Sequence, residues 1–257
     1  MSLTATYPTE AHQRAAAAIT EYFARREETD SVLLVCSCAR GKATADSCLD
    51  MQVIVPTGCV AAVEADWLRF AADNDVLAEL DRAGRFSDLH LDVWDGVIVP
   101  GVIDEESIDY LEVSIGNLFV YSVPLYVRGN RFEQLAGDWL PYYDDELRRE
   151  RLGAACWFVL ENNLARIPWF LDRELYFQAL DRFYRAFQGF LLGLHVSRRT
   201  YPLAYNKWIR EQVAETLGLP ELYERLPHLF ELERFESRAL EAKADELRRI
   251  VEEYVVL

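Results

Sequence analysis

Basic charge is scarce in this chain, and lysine scarcest of all. Its 257 residues carry 27 Lys and Arg against 43 Asp and Glu, a formal net charge of -16. The lysines are Lys42, Lys207 and Lys243, and every other basic residue is Arg. Binding to phosphate backbones needs a basic footprint, so a bare nucleic-acid groove is excluded, and an anionic membrane surface is disfavoured for the same reason. No apolar run approaches the roughly 20 residues of a membrane span, and the N-terminal stretch has no apolar core of an export signal. Cysteine is sparse and odd in number: Cys36, Cys38, Cys48, Cys59 and Cys156. That argues against a disulfide framework and for a reducing compartment, with a cytoplasmic location expected. No second Cys pair or neighbouring His completes a tetrahedral zinc site around Cys36 and Cys38. There is no G-x-S-x-G elbow, no Walker loop, no H-E-x-x-H, no internal repeat and no low-complexity linker.

What is present divides in two. Thr9 reads as the N-cap of a helix whose apolar positions are Ala16, Ile19, Tyr22 and Phe23. Ser31 to Val35 and Met51 to Val55 are short β-branched and aliphatic runs, read as neighbouring buried strands around a polar link, Ser37 to Ser47. Glu64 to Leu80 has a helical period, and Asp88 to Val93 alternates as a third strand. Leu118 to Val127, broken by Pro124, reads as a weaker, edge-like strand pair. From Pro141 onward the period is helical: Asp144 to Leu164, Asp172 to His195, Asn206 to Leu217 and Phe235 to Val255. The expected fold class is α+β, a mixed sheet with flanking helices over residues 1–140, followed by an all-α helix bundle over residues 141–257. A cleft between the halves is the expected place for a ligand.

The segment Val35 to Val53 reads VCSCARGKATADSCLDMQV. It resembles the nucleotidyltransferases of the DNA polymerase β superfamily, in which a Gly-Ser turn with x-Ala-x-Gly leads to Ser-Asp-x-Asp on the next strand. Ser37, Ala39, Arg40, Gly41, Ser47, Asp50 and Val53 fall in register without gaps. The resemblance covers about the first half of the chain; the helical half looks like the C-terminal domains of small-molecule nucleotidyltransferases in architecture only. It implies transfer of a nucleoside monophosphate from a nucleoside triphosphate to a hydroxyl of a small-molecule acceptor. It implies Mg²⁺ as cofactor, since paired ions clamp the attacking and leaving oxygens of such a displacement. Carboxylates two apart on a strand share a face and can hold the ions together. By that resemblance Asp50 and Asp92 are the catalytic and metal-binding carboxylates, with Asp88 and Asp95 competing with Asp92. Ser37, Arg40, Gly41 and Ser47 line the nucleotide turn, where backbone N–H groups approach the phosphates.

Two positions depart from the pattern: Cys36 stands at the family's glycine, and Cys48 at its first metal-binding aspartate. A side chain at 36 obstructs close phosphate approach, and a thiol is a poor Mg²⁺ ligand. Three readings follow: a working enzyme with an altered metal site, a nucleotide-binding protein without transfer, and an antitoxin-like interaction module.

Other residues invite a role. Lys207, in the aromatic loop Tyr201 to Trp208, is read as a phosphate contact, with a solvated cap beside packing aromatics as the alternative. Arg198 and Arg199 meet phosphates or complement a helix C-terminus. His195 reads as structural. His90 shares a strand face with Asp88 and Asp92, and orients a carboxylate or replaces a missing ligand. The acids at 144–146 complement a helix dipole or attract a cationic acceptor. The aromatic series from Trp169 to Phe190 reads mainly as core.

Overall fold

The structure, a computed structural model, describes residues 3–255. The chain divides into two compact units. One comprises the chain up to Val99 together with Ile115–Pro141; the other comprises Pro100–Ser114 and the chain from Tyr142 onward. Among the described residues, no helix is long and apolar enough to cross a membrane.

The first unit is a four-stranded mixed sheet with flanking helices, as expected. Its strands are β1 (Ser31–Leu34), β2 (Leu49–Ile54), β3 (Leu89–Trp94) and β4 (Val123–Val127), in the order β3-β2-β1-β4. β1 pairs antiparallel with both β2 and β4, whereas β2 and β3 are parallel. The antiparallel pair is joined by the compact link after β1. The parallel pair requires a crossover, supplied by the helices Val60–Ala72 and Asp75–Leu80. Asn74 separates these two helices, its Oδ1 accepting from the Val76 and Leu77 N–H groups.

Strand alternation sorts the sheet into two faces. Val32, Leu34, Leu49, Met51 and Val53 pack with Ala15, Ala16, Ile19 and Phe23 of the helix Glu10–Ala24, and with Val63 and Trp67. Thr9 caps that helix by accepting from the His12 N–H. Asp50 and Gln52 of β2 alternate with this buried set and belong to the opposite face.

One expected strand is absent. Leu118 to Val120, read as strand from its aliphatic and aromatic content, lies in a wide π-type turn, Gly116–Val120, continuing the helix Leu111–Ile115. Leu118 and Phe119 are buried there, so tertiary packing overrides β-propensity. Only Val123–Val127 pairs, at the sheet edge where Pro124 is tolerated, with a register shift opposite Val32 and Leu33.

The second unit is helical. Its centre is Tyr176–Ser197, whose Ala179, Phe183, Ala186, Phe190 and Leu194 are fully buried. Asp145–Trp157, Ile167–Asp172 and Ala239–Tyr254 share that core. Asp144 caps its helix through the Glu146 and Leu147 N–H groups. At Gly189 a Cβ would lie 2.8 Å from a Phe158 ring carbon, so only glycine permits this approach. The wide turn Phe158–Asn163 lies opposite, and Asn163 Nδ2 donates to the Phe158 carbonyl at 2.8 Å across it.

A buried ionic network also lies in this unit. Arg151 donates to Glu112 through Nε at 2.8 Å and Nη2 at 2.6 Å, and pairs with Asp109 at 2.9 Å. The Tyr143 and Tyr205 hydroxyls donate to Glu112 at 2.9 and 3.4 Å.

Candidate functional site

The link between β1 and β2 is more structured than its polar sequence suggests. It opens with a single helical turn, Cys36–Ala39, and closes with a hydroxyl turn in which the Thr44 N–H donates to Ser47 Oγ at 2.9 Å. Two residues of the link take left-handed backbone. Gly41 has φ 68°, which explains a glycine at that position, and Cys36 has φ 57°. The position where the resembled pattern has glycine is therefore one whose backbone asks for it, and a cysteine occupies it under strain.

The link is fastened from both sides. His12, fully buried in the helix Glu10–Ala24, binds the Ser47 carbonyl through Nε2 at 2.9 Å, while its Nδ1 meets Thr9 Oγ1 at 2.7 Å. On the other side the Arg85 N–H donates to Asp46 Oδ1 at 2.9 Å. A Cβ on Gly84 would lie 2.0 Å from the Ala45 carbonyl oxygen, so the two backbones are in contact. Sequence reading missed both His12 and Gly84. An uncommon buried residue type on an apolar helix face was the available signal for His12, whereas nothing in the sequence marks Gly84.

At the end of the link, Cys48 and Asp50 stand two residues apart and project together. Cys48 Sγ donates to Asp50 Oδ2 at 3.1 Å. The parallel register sets His90 of β3 directly beside Asp50, and its Nδ1 lies 3.1 Å from Asp50 Oδ1. One ligand atom from each of Cys48, Asp50 and His90 falls within 4.8 Å of the others. The Asp50 side chain is 17% exposed and that of His90 63%, so the group opens to solvent on the histidine side. Nearby, Cys38 is buried and its thiol is pushed up to about 12, by burial first and then by its neighbours Asp50 and Cys48. Cys38 is thus an unreactive thiol at neutral pH.

The other expected residues are placed as follows. Ser37 lies within the helical turn, and its carbonyl accepts from the Lys42 N–H at 2.9 Å. Arg40 ends that turn, its N–H bonded to the Cys38 carbonyl. Asp92 is exposed on the His90 face of β3 but pairs with Gln52, one step beyond Asp50. The Asp88 carbonyl accepts the Leu49 N–H, and Asp95 Oδ1 accepts from the Val97 N–H. The register thus brings His90, not a second carboxylate, beside Asp50.

In the helical unit, Lys207 is exposed and its carbonyl accepts from Gln212 Nε2 at 2.9 Å. Buried Gln212 also binds the Ala204 carbonyl and the Leu203 N–H, and so holds the whole loop. Tyr201 and Tyr205 are core residues, while Trp208 is exposed. His195 is fully buried, with Nδ1 2.9 Å from Thr200 Oγ1. Burial, assisted by Arg198, pushes its imidazole down to about 3, so it is neutral and structural. Arg198 donates to the Ser197 hydroxyl and the Tyr254 carbonyl, and Arg199 pairs with Asp145.

The donor set at the strand ends does not fit Mg²⁺. That ion takes oxygen ligands in near-octahedral array, whereas this group offers one sulfur, one carboxylate and one imidazole nitrogen. No step through paired magnesium ions follows from these residues.

No protein-family model matches the chain, and no curated protein matches it. Among solved structures, a nucleotidyltransferase-like protein from Exiguobacterium sibiricum 255-15 is similar at 14% sequence identity. The match covers 94% of this chain and 74% of that one, with a TM-score of 0.44. A superposition that loose assigns neither activity nor residue roles.

Proposed function

We propose that this chain is a nucleotidyltransferase-like protein that binds a nucleoside triphosphate at the β1–β2 link and has lost two-magnesium transfer. The observation that carries the reading is the link itself. β1 is followed, after Val35, by a single helical turn that opens on the left-handed Cys36 and carries Ser37, and the chain returns to a strand bearing Asp50. Arg40 and Lys42 stand in this link, a local basic pair in a chain of net charge -16. Phosphate oxygens are attracted to such a place.

The loss of transfer is supported by the thiol at position 48 and the imidazole beside Asp50. A triphosphate binds through the turn and its cations, with Ser37, Arg40 and Gly41 as its contacts and Ser47 holding the link in shape.

The test is equilibrium binding of the four common nucleoside triphosphates to the native protein and to Arg40→Ala. Saturable binding of at least one is expected, weakened by about tenfold in the variant, the equivalent of one charged hydrogen bond. If no triphosphate binds, the nucleotide reading fails and the unit is an interaction scaffold.

A further inference from the structure

The geometry points to a zinc site formed by Cys48 Sγ, one carboxylate oxygen of Asp50 and His90 Nδ1. Cys48 immediately precedes β2, Asp50 lies on β2 and His90 on the adjacent parallel strand β3, and their ligand atoms lie within 4.8 Å of one another. The inference rests on that arrangement alone and stands whether or not a nucleotide binds nearby.

The chemistry selects the metal. Zinc takes thiolate, imidazole and carboxylate together, at about 2.3, 2.0 and 2.1 Å respectively, in tetrahedral array. Those bond lengths imply ligand-to-ligand edges of about 3.3–3.6 Å. Cys48 Sγ meets Asp50 Oδ2 and His90 Nδ1 meets Asp50 Oδ1, each at 3.1 Å, and the three ligand atoms lie within 4.8 Å of one another, so side-chain rotation alone has to draw the thiol and the imidazole around one oxygen. Charge also balances: a thiolate and a carboxylate offset the two positive charges of the ion, with His90 neutral. Magnesium and calcium, which seek oxygen, gain nothing from the sulfur.

Binding replaces the S–H···O bond between Cys48 and Asp50 with bonds to the ion, and the thiol proton leaves to solvent. Three protein ligands leave the fourth position open. With the His90 side chain 63% exposed, that position is accessible to water or to an anionic ligand. This is the pattern of zinc sites that act on a bound molecule, as opposed to closed structural sites.

The test uses the full-length protein, stripped with chelator, in nucleotide-free buffer. Titration with Zn²⁺ alone is followed by calorimetry, and Co²⁺ is used as a spectroscopic probe of sulfur ligation. One equivalent of Zn²⁺ is expected, with a binding heat that depends on buffer ionisation because a proton is released. Co²⁺ is expected to give a thiolate-to-metal charge-transfer band. Cys48→Ser and His90→Ala are each expected to weaken Zn²⁺ by at least about tenfold. Cys156→Ser, a thiol in the other unit, leaves affinity unchanged. Cys48→Asp is expected to lose the charge-transfer band and to gain affinity for Mn²⁺. His90 is exposed, so its replacement leaves the fold intact and keeps the test decisive even where a Cys48 variant is unstable. Absence of stoichiometric Zn²⁺ binding overturns the site, as does binding that both His90→Ala and Cys48→Ser leave unchanged. Failure here leaves triphosphate binding untouched, and the two claims fall separately.

Discussion

Replacing Glu112 with Gln should destabilise the helical unit by about 3 kcal/mol. Glu112 is fully buried and Arg151 is 3% exposed. The carboxylate accepts two guanidinium bonds, at 2.8 and 2.6 Å, and a tyrosine hydroxyl at 2.9 Å. Gln preserves the shape but removes the charge, and its amide NH₂ must face a guanidinium donor. Removing one partner of a buried pair costs about 3–5 kcal/mol, because the remaining charge stays out of water. Asp109 still pairs with Arg151 at 2.9 Å, which places the expected loss at the lower end of that range. Against a domain stability of about 5–15 kcal/mol, the effect is large. Urea denaturation at neutral pH, read by hydrogen exchange in the helix Asp145–Trp157, isolates this unit from the sheet. Adding Arg151→Met to Glu112→Gln should recover part of the loss, since no buried cation then remains. A loss below about 1 kcal/mol for the single variant would refute the reasoning, because that is what an exposed pair contributes.

Two other perturbations follow from the same geometry. Cys36→Gly should stabilise the sheet unit by about 0.5–1 kcal/mol in chemical denaturation, by relieving a left-handed cysteine at φ 57°; a destabilised variant would mean that the side chain's packing outweighs the strain. His195 is held well below its ordinary value, down to about 3, so the unfolded state binds its proton first as pH falls. Its contribution is fully present above about pH 6.5 and is lost progressively toward pH 3, with a slope of up to about 1.4 kcal/mol per pH unit. His195→Asn should show a flatter decline over that interval in pH-dependent denaturation, and parallel curves for the two proteins would remove His195 as a source of acid sensitivity.

Local signals were legible where the physics is local. Thr9 and Asp144 announce helix starts because a short polar side chain before an apolar period can satisfy the orphan N–H groups. β1 announces itself through a continuous aliphatic run, as a strand in the middle of a sheet does, and β2 through Met51 to Val55, rich in aliphatic residues. Leu118 to Val120 misled, because their burial in a helical turn is decided by the neighbours they pack against. The Glu112–Arg151 pair spans 39 positions, and nothing in composition places Pro100–Ser114 with the helical unit. At the site, Cys48 and Asp50 share a side by simple alternation. The choice of His90 over Asp88, Asp92 or Asp95 as the neighbour of Asp50 depends on the parallel register, which periodicity leaves open by two residues in either direction. The strain at Cys36 was legible only through comparison with a glycine pattern, and the backbone supplies its reason.

The most direct test of the central claim is calorimetric titration of nucleoside triphosphates into metal-free protein, with and without added Mg²⁺, on the native chain and on Cys48→Asp. The native protein is predicted to bind at least one triphosphate with an affinity that Mg²⁺ leaves essentially unchanged, and Cys48→Asp to bind more tightly when Mg²⁺ is present. Triphosphate binding by the native chain only in the presence of Mg²⁺, or no binding by either protein, would contradict the account.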